Sequence, residues 1–364
     1  MLDLARVNQV LASVIDPNTG HDFASSRGVR NIRIEGPDGA VQVSLDVELG
    51  YPAASQFEPI RQMITEALKK AGATAVKAAI SSKIVSHTVQ RGLKVMPNVR
   101  NIVAVSSGKG GVGKSTVAVN LALALAAEGA RVGMLDADIY GPSQPTMLGI
   151  SGRPESRDGK TLEPLENFGI QASSIGFLVD PDTPMVWRGP MVTSALQQLL
   201  TQTNWKDLDY LVVDMPPGTG DIQLTLAQQV PVTGAVIVTT PQDIALLDAM
   251  KGLKMFEKVG VPILGIVENM AVHVCSQCGH TEHIFGTGGG EKMGRDYGVE
   301  VLGSLPLDIR IREQTDSGHP TVVAEPDGPI ATLYKKIARR MAIKISERAK
   351  DLSAKMPAIK VSKT

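Results

Sequence analysis

The spacing of apolar residues changes character near residue 99. Before it, Leu4, Val7, Val10, Leu11 and Val14 recur at helical intervals and stop before Asp16-Pro17. Two alternating runs, 29–35 and 41–48, flank Pro37-Asp38-Gly39 and predict strands around a turn. A helix over 57–71 follows, with Ile60, Ile64 and Leu68 on one face, and after Gly72 a strand over 75–80. The segment up to Pro97-Asn98 reads as a connector, so residues 1–95 form a small α+β unit.

Beyond it the apolar runs are short and unbroken: 101–106, 132–135, 210–213, 235–239 and 263–267. Helical patterns lie between several of them, beginning with the Ala/Leu-rich stretch 115–127. Continuous apolar strands alternating with helices predict a mostly parallel sheet with helices on both faces, an α/β fold. Ligands in such sheets sit outside the carboxyl ends of the strands. Residues 329–352 predict a terminal amphipathic helix with Ile330, Leu333, Ile337 and Met341 on its inner side, docked with its basic face in solvent. The large unit is thus 96–350, and 351–364 is a tail; a chain of 364 residues accommodates two such domains.

Charge and the length of the apolar runs argue against two classes of partner. Lys plus Arg and Asp plus Glu both number 37, so no basic excess favours nucleic acid. No apolar run approaches the roughly 20 residues of a membrane span. The N-terminus carries Asp3 and lacks a charged-then-apolar signal layout, so no membrane partner is expected. The two cysteines, Cys275 and Cys278, are too few for a disulfide framework and point to a reducing, cytoplasmic setting.

The chemistry begins at Gly108-Lys109-Gly110-Gly111-Val112-Gly113-Lys114-Ser115, which fits G-x-x-x-x-G-K-[ST] between a strand and a helix. Its glycines let backbone N–H groups turn inward on phosphate oxygens, and the helix N-terminus adds a positive dipole end. Lys114 can reach the β- and γ-phosphates, and the Ser115 hydroxyl, followed by Thr116, can ligate Mg²⁺. Asp136-Ala137-Asp138 ends the next strand, and Tyr210-Leu211-Val212-Val213-Asp214 is a Walker B strand whose Asp214 would bind Mg²⁺. Pro216-Pro217-Gly218-Thr219-Gly220-Asp221 follows as a switch loop.

Cys275-Ser276-Gln277-Cys278 directs two sulfurs toward one metal. A cluster or a tetrahedral zinc takes four ligands, and no other cysteine is present, so two subunits could supply four thiolates. Three readings stay open: a shared iron–sulfur cluster, a zinc held by Cys275, Cys278, His280 and His283 within one subunit, or redox chemistry or an inert loop.

With these motifs in place, the chain resembles the deviant Walker A ATPases, and residues 99–345 look like their Mrp/ApbC branch. The resemblance rests on GKGGVGKST, DADIYGPSQP, Trp187-Arg188-Gly189-Pro190, VVDMPPGTGD, and Glu268-Asn269-Met270 followed by the C-x-x-C. It implies an ATP-binding homodimer in which Lys109 reaches the nucleotide of the facing subunit. Asp138 would orient or activate the attacking water, Asp136 would support the Mg²⁺ shell, and Asn269 and the segment beginning at Pro306 would contact the base. It also implies that Cys275 and Cys278 hold a [4Fe–4S] cluster bridging two subunits. The cluster would come from an upstream scaffold and pass to apo client proteins, coupled to weak ATP hydrolysis. Residues 1–95 resemble a small iron–sulfur assembly domain, with Tyr51-Pro52 where its members often carry Cys-Pro. A partition or positioning ATPase acting through ATP-dependent dimerisation is the alternative, as is an ATPase with a structural zinc.

Overall fold

The computed structural model describes residues 2–350 apart from 27, 38, 91, 180–188 and 276, so Trp187-Arg188 and the tail lie outside the described residues. Helix α1 (Leu4–Leu11) starts where the Asp3 carboxylate accepts from the Arg6 N–H at 2.8 Å. It ends a turn earlier than expected. Ser13 Oγ donates to the Val10 carbonyl, and Val14 belongs to the loop beyond. Strands β1 (Val29–Glu35) and β2 (Gln42–Leu49) pair antiparallel, with an irregular register around Asn31, whose φ is +54°. Helix α2 (Phe57–Lys70) then returns the chain to β3 (Ala75–Ser82), which pairs parallel with β2. The alternating Val43, Leu45, Val47 and Leu49 are buried, as are Ile60, Ile64 and Leu68 of α2.

The large unit opens with β4 (Val99–Ser106), α3 (Lys114–Ala127) and β5 (Val132–Asp136), followed by the short α4 (Gln144–Met147). A hairpin of β6 (Leu165–Asn167) and β7 (Ile170–Ser174) precedes α5 (Gly189–Gln202) and β8 (Leu208–Asp214). Next come α6 (Asp221–Gln229), β9 (Gly234–Thr239), α7 (Asp243–Lys258) and β10 (Ile263–Val274). The chain closes with β11 (Thr281–Glu282), α8 (Gly289–Tyr297), β12 (Val301–Pro306), α9 (Ile309–Asp316), α10 (Thr321–Ala324) and α11 (Pro329–Ser346). The described strands form a nine-stranded sheet in the order β11-β10-β9-β4-β8-β5-β7-β6, with β12 also on β10. Its centre is parallel, and only the β6 and β11 pairings are antiparallel. The expected α/β sheet with helices on both faces is therefore present, and it follows the small sheet domain.

Two expectations change here. Strand β10 runs twelve residues instead of stopping at 267, so Asn269 lies inside a strand that continues to the cysteine turn. In α11, Leu333 is 37 % exposed; the buried side is Ile330, Tyr334, Ile337, Met341 and Ile345, with Tyr334 occupying the place expected of Leu333. Strand β12, unforeseen in the sequence, contains Gly303, where a Cβ would come within 2.7 Å of Ile337 Cγ1 as α11 crosses it.

Helix α3 is apolar around its circumference because it is covered on all sides. The sheet lies on one flank and α11 on another, and the apolar cluster continues without a break into Leu45, Ile60 and Leu68 of the small domain. At its end the Glu128 side chain, fully buried, pairs with Arg339 of α11. It also accepts from Ser55 N at 3.0 Å and Ser55 Oγ at 2.7 Å of the small domain. A buried carboxylate stripped of its cation is strongly destabilising, whereas an exposed pair contributes little. Arg339→Met is expected to lower the unfolding free energy in urea by about 3–5 kcal/mol. Arg312→Ala, which breaks the exposed pair with Asp316, should cost under about 1 kcal/mol.

Candidate functional site

The phosphate-binding loop leaves β4 at Ser106 and enters α3 at Lys114. Gly111 and Gly113 have φ of +82° and +80°, a conformation that other residues rarely hold. The loop is gripped from two sides. A Cβ on Gly108 would lie 2.0 Å from the Asp248 carbonyl of α7, and one on Gly113 would lie 2.3 Å from Asn269 Nδ2 of β10. Asn269 Nδ2 donates to the Val112 carbonyl at 2.9 Å. Ser107 Oγ donates to the Lys109 carbonyl at 2.8 Å, leaving the Lys109 side chain half-buried beside the exposed Gly110 and Gly111. Thr116 occupies the first turn of α3, half-buried.

The carboxyl ends of β5 and β8 bring the acidic residues to this loop. Lys114, 6 % exposed, pairs with the fully buried Asp214 carboxylate and donates to Ser115 Oγ at 3.1 Å. Asp136 is fully buried as well and accepts four hydrogen bonds. They come from Asp138 N at 3.1 Å, Ser143 N and Gln144 N at 3.0 Å, and Ser174 Oγ at 3.2 Å. Burial, and then the Asp214 charge, push the Asp136 carboxyl well above the usual range. Asp138 is raised by burial against the pull of Lys114, and its Oδ1 accepts from Gly141 N at 3.3 Å. Every oxygen of Asp136 thus already has a protein donor, and its visible work is to fold residues 138–144 onto the loop.

Two glutamines that carry no charge and no expected role complete the site. Gln144, 1 % exposed, donates through Nε2 to Asp214 Oδ2 at 2.9 Å and to the Ser115 carbonyl at 3.2 Å. Gln223 holds the 216–220 loop, accepting from Gly220 N at 2.5 Å and donating to the Pro216 carbonyl at 2.7 Å. The same loop donates from Gly218 N to the Ser107 carbonyl at 3.1 Å. Gln144 lies within the DADIYGPSQP motif, so its position was marked, but its hydrogen bonds depend on tertiary folding.

The cysteine pair occupies the turn from β10 to β11. Cys275 N donates to the His280 carbonyl and Gly279 N to the Cys275 carbonyl, both at 2.9 Å. N–H groups of Cys278 and then Gln277 bond the Cys275 sulfur and hold its thiol below the ordinary value. The histidines do not join it. His283 Nδ1 meets the Ala271 carbonyl at 3.0 Å, His273 Nδ1 the Leu307 carbonyl at 3.0 Å, and His280 Nε2 faces Glu282 at 3.7 Å. Among the described residues, no three His, Cys, Asp or Glu side chains are grouped to hold a metal, so the Cys₂His₂ zinc set is not assembled. Pro306 ends β12 opposite Val272, on the strand that carries Asn269.

Comparison with known proteins adds independent weight. Residues 98–342 match the family described as NUBPL iron-transfer P-loop NTPase, and residues 4–81 match the iron–sulfur cluster assembly protein family. The iron–sulfur cluster carrier protein of Escherichia coli is 52 % identical over 94 % of this chain and 92 % of its own length. The iron–sulfur cluster transfer protein NUBPL of Mus musculus is 53 % identical over 70 % of this chain and 81 % of its own. Among solved structures, a nucleotide-binding protein of Archaeoglobus fulgidus, in complex with ADP, is 38 % identical with a TM-score of 0.56. It covers 65 % of this chain, which covers 91 % of it. The Pyrococcus furiosus cell division ATPase MinD, 23 % identical with a TM-score of 0.51 over 66 % of this chain and 98 % of its own, shares the fold.

The environment of Cys275 makes a direct prediction. Its alkylation by iodoacetamide, mapped by mass spectrometry across pH, is expected to have a midpoint below the ordinary thiol value of about 8.5. A midpoint at or above that value would show that the turn N–H groups do not stabilise the thiolate.

Proposed function

Since the chain belongs to the NUBPL-type iron-transfer P-loop NTPases, we propose that it carries iron–sulfur clusters to apo-proteins under the control of ATP binding and hydrolysis. The observation that carries this reading is β10. Within one strand, Asn269 bonds the phosphate-binding loop and six residues later Cys275 opens the cargo turn. A shift of the loop is thereby a shift at the root of the thiolates. The MinD likeness is one of fold alone and does not favour a partition ATPase.

In this reading residues 108–116 cradle the phosphates of ATP, with Lys114 on the β- and γ-phosphates, and Asn269 and the segment from Pro306 contact the base. The donor set suits Mg²⁺. The Ser115 hydroxyl and the Asp214 carboxylate are hard oxygens at one spot, and this cation takes one or two protein ligands and fills its shell with phosphate and water. The cation would neutralise charge developing on the transferred phosphoryl group. Asp138, its carboxyl raised by burial, orients the attacking water and can accept its proton. Lys109 reaches from one subunit of a homodimer to the nucleotide of the other, placing a cation on the leaving phosphates. The cargo is a [4Fe–4S] cluster held by Cys275 and Cys278 of both subunits, a four-thiolate set across the dimer axis. An upstream scaffold supplies it and apo client proteins in the cytoplasm receive it. Nucleotide-dependent movement of 138–144, 216–221 and β10 biases the dimer between holding and releasing it.

Anaerobic reconstitution tests the cargo. We expect about two iron and two sulfide per subunit with a [4Fe–4S] spectrum, absent from Cys275→Ser/Cys278→Ser. One tightly held zinc per subunit with no cluster would overturn the proposal. Lys114→Ala and Asp138→Asn should bind the cluster yet mature client enzymes poorly in cells lacking the native protein; wild-type maturation by both would sever ATP from transfer.

A further inference from the structure

Gln144 belongs to no part of the chemistry assigned above, yet it touches most of it. Its backbone N–H donates to Asp136 Oδ2 at 3.0 Å, and its carboxamide donates to Asp214 Oδ2 at 2.9 Å and to the Ser115 carbonyl at 3.2 Å. One residue therefore ties the ends of β5 and β8 to the first turn of α3. It sits one position into α4, on the segment that Asp136 folds over the loop, and is 1 % exposed.

The acceptor half of the same carboxamide is less well served. Gln144 Oε1 is buried without a hydrogen-bond partner among the described residues. A leucine of similar size would fill this space and leave no orphan oxygen, so packing does not account for a glutamine here. The donor half does. Lys114 occupies Asp214 Oδ1, and Gln144 Nε2 occupies Oδ2, which fixes the plane of a carboxylate that would otherwise be free to rotate. Carboxylates that serve a metal are commonly held this way by hydrogen bonds from outside the coordination sphere.

We propose that Gln144 is a positioning residue for the divalent cation. Its carboxamide sets the Asp214 carboxylate in register with Ser115, and its backbone ties that pair to the 138–144 segment. This rests on the nucleotide-site reading and on nothing about the cargo. A cation taken up by Ser115 and Asp214 would then be felt by 138–144 through one side chain.

The test is binding of a fluorescent ADP analogue to the full-length protein, titrated with MgCl₂ and repeated in excess EDTA. Gln144→Leu keeps the volume and loses the donor; Gln144→Glu keeps the shape and replaces the donor with an acceptor. Both are expected to raise the Mg²⁺ concentration of half-maximal enhancement by about tenfold or more, with affinity in EDTA within about twofold of the native protein. Unchanged Mg²⁺ midpoints in both variants overturn the proposal. So does an equal loss with and without Mg²⁺, which would mark Gln144 as a packing residue of the loop. If the native protein shows no Mg²⁺ enhancement, the nucleotide-site reading falls and takes this inference with it.

Discussion

One lysine facing two buried carboxylates governs the large domain. Lys114 pairs with Asp214, and burial first, then the Asp214 charge, raise the proton affinity of Asp136 against the pull of Lys114. Water has been removed from all three, so each must be satisfied by the protein, and the solutions define the site. Asp136 gathers four donors and thereby folds 138–144; Asp214 takes Lys114 and Gln144; Lys114 turns to Ser115. The arrangement is possible only because β5 and β8 are adjacent and in register, with Asp136 directly opposite Asp214. Sheet register and active-site geometry are the same fact.

The second organising feature is the shared core. The small domain keeps its own three-stranded sheet, but its apolar face merges with α3 and α11. The Glu128, Ser55 and Arg339 cluster fastens this contact at the C-terminal end of the helix whose N-terminus carries Lys114. One helix thus touches the small domain at one end and carries the phosphate-binding loop at the other.

Much of this was legible in the sequence. Unbroken apolar runs announce central strands, and the glycine-rich loop between a strand and a helix locates the phosphate site. What escaped did so for identifiable reasons. Strand β12 is short and interrupted by Gly303, a residue explained only by the crossing of Ile337. On the inner face of α11, Tyr334 takes the buried place that the periodicity offers equally to Leu333. The flanking histidines can be counted as zinc ligands from spacing, but among the described residues no three metal-binding side chains come together there. Gln144 was invisible because a glutamine's importance lies in which distant atoms it reaches.

The strand order has a consequence for how the protein is made. Strand β4 lies between β8 and β9, so the first strand of the large sheet waits for partners more than a hundred residues downstream. Helix α3 waits longer, because α11, which covers it, is the last helix described. On a ribosome adding about 5–20 residues each second, the loop helix would wait about 10–40 seconds for α11 to cover it. Such late, non-local closure makes folding slow and exposes the nascent chain to aggregation. The small domain, complete in its own strands by residue 82, emerges first and offers α3 an apolar surface in the interval. It is placed to act as a built-in holding surface for the helix that the large domain finishes burying only with α11.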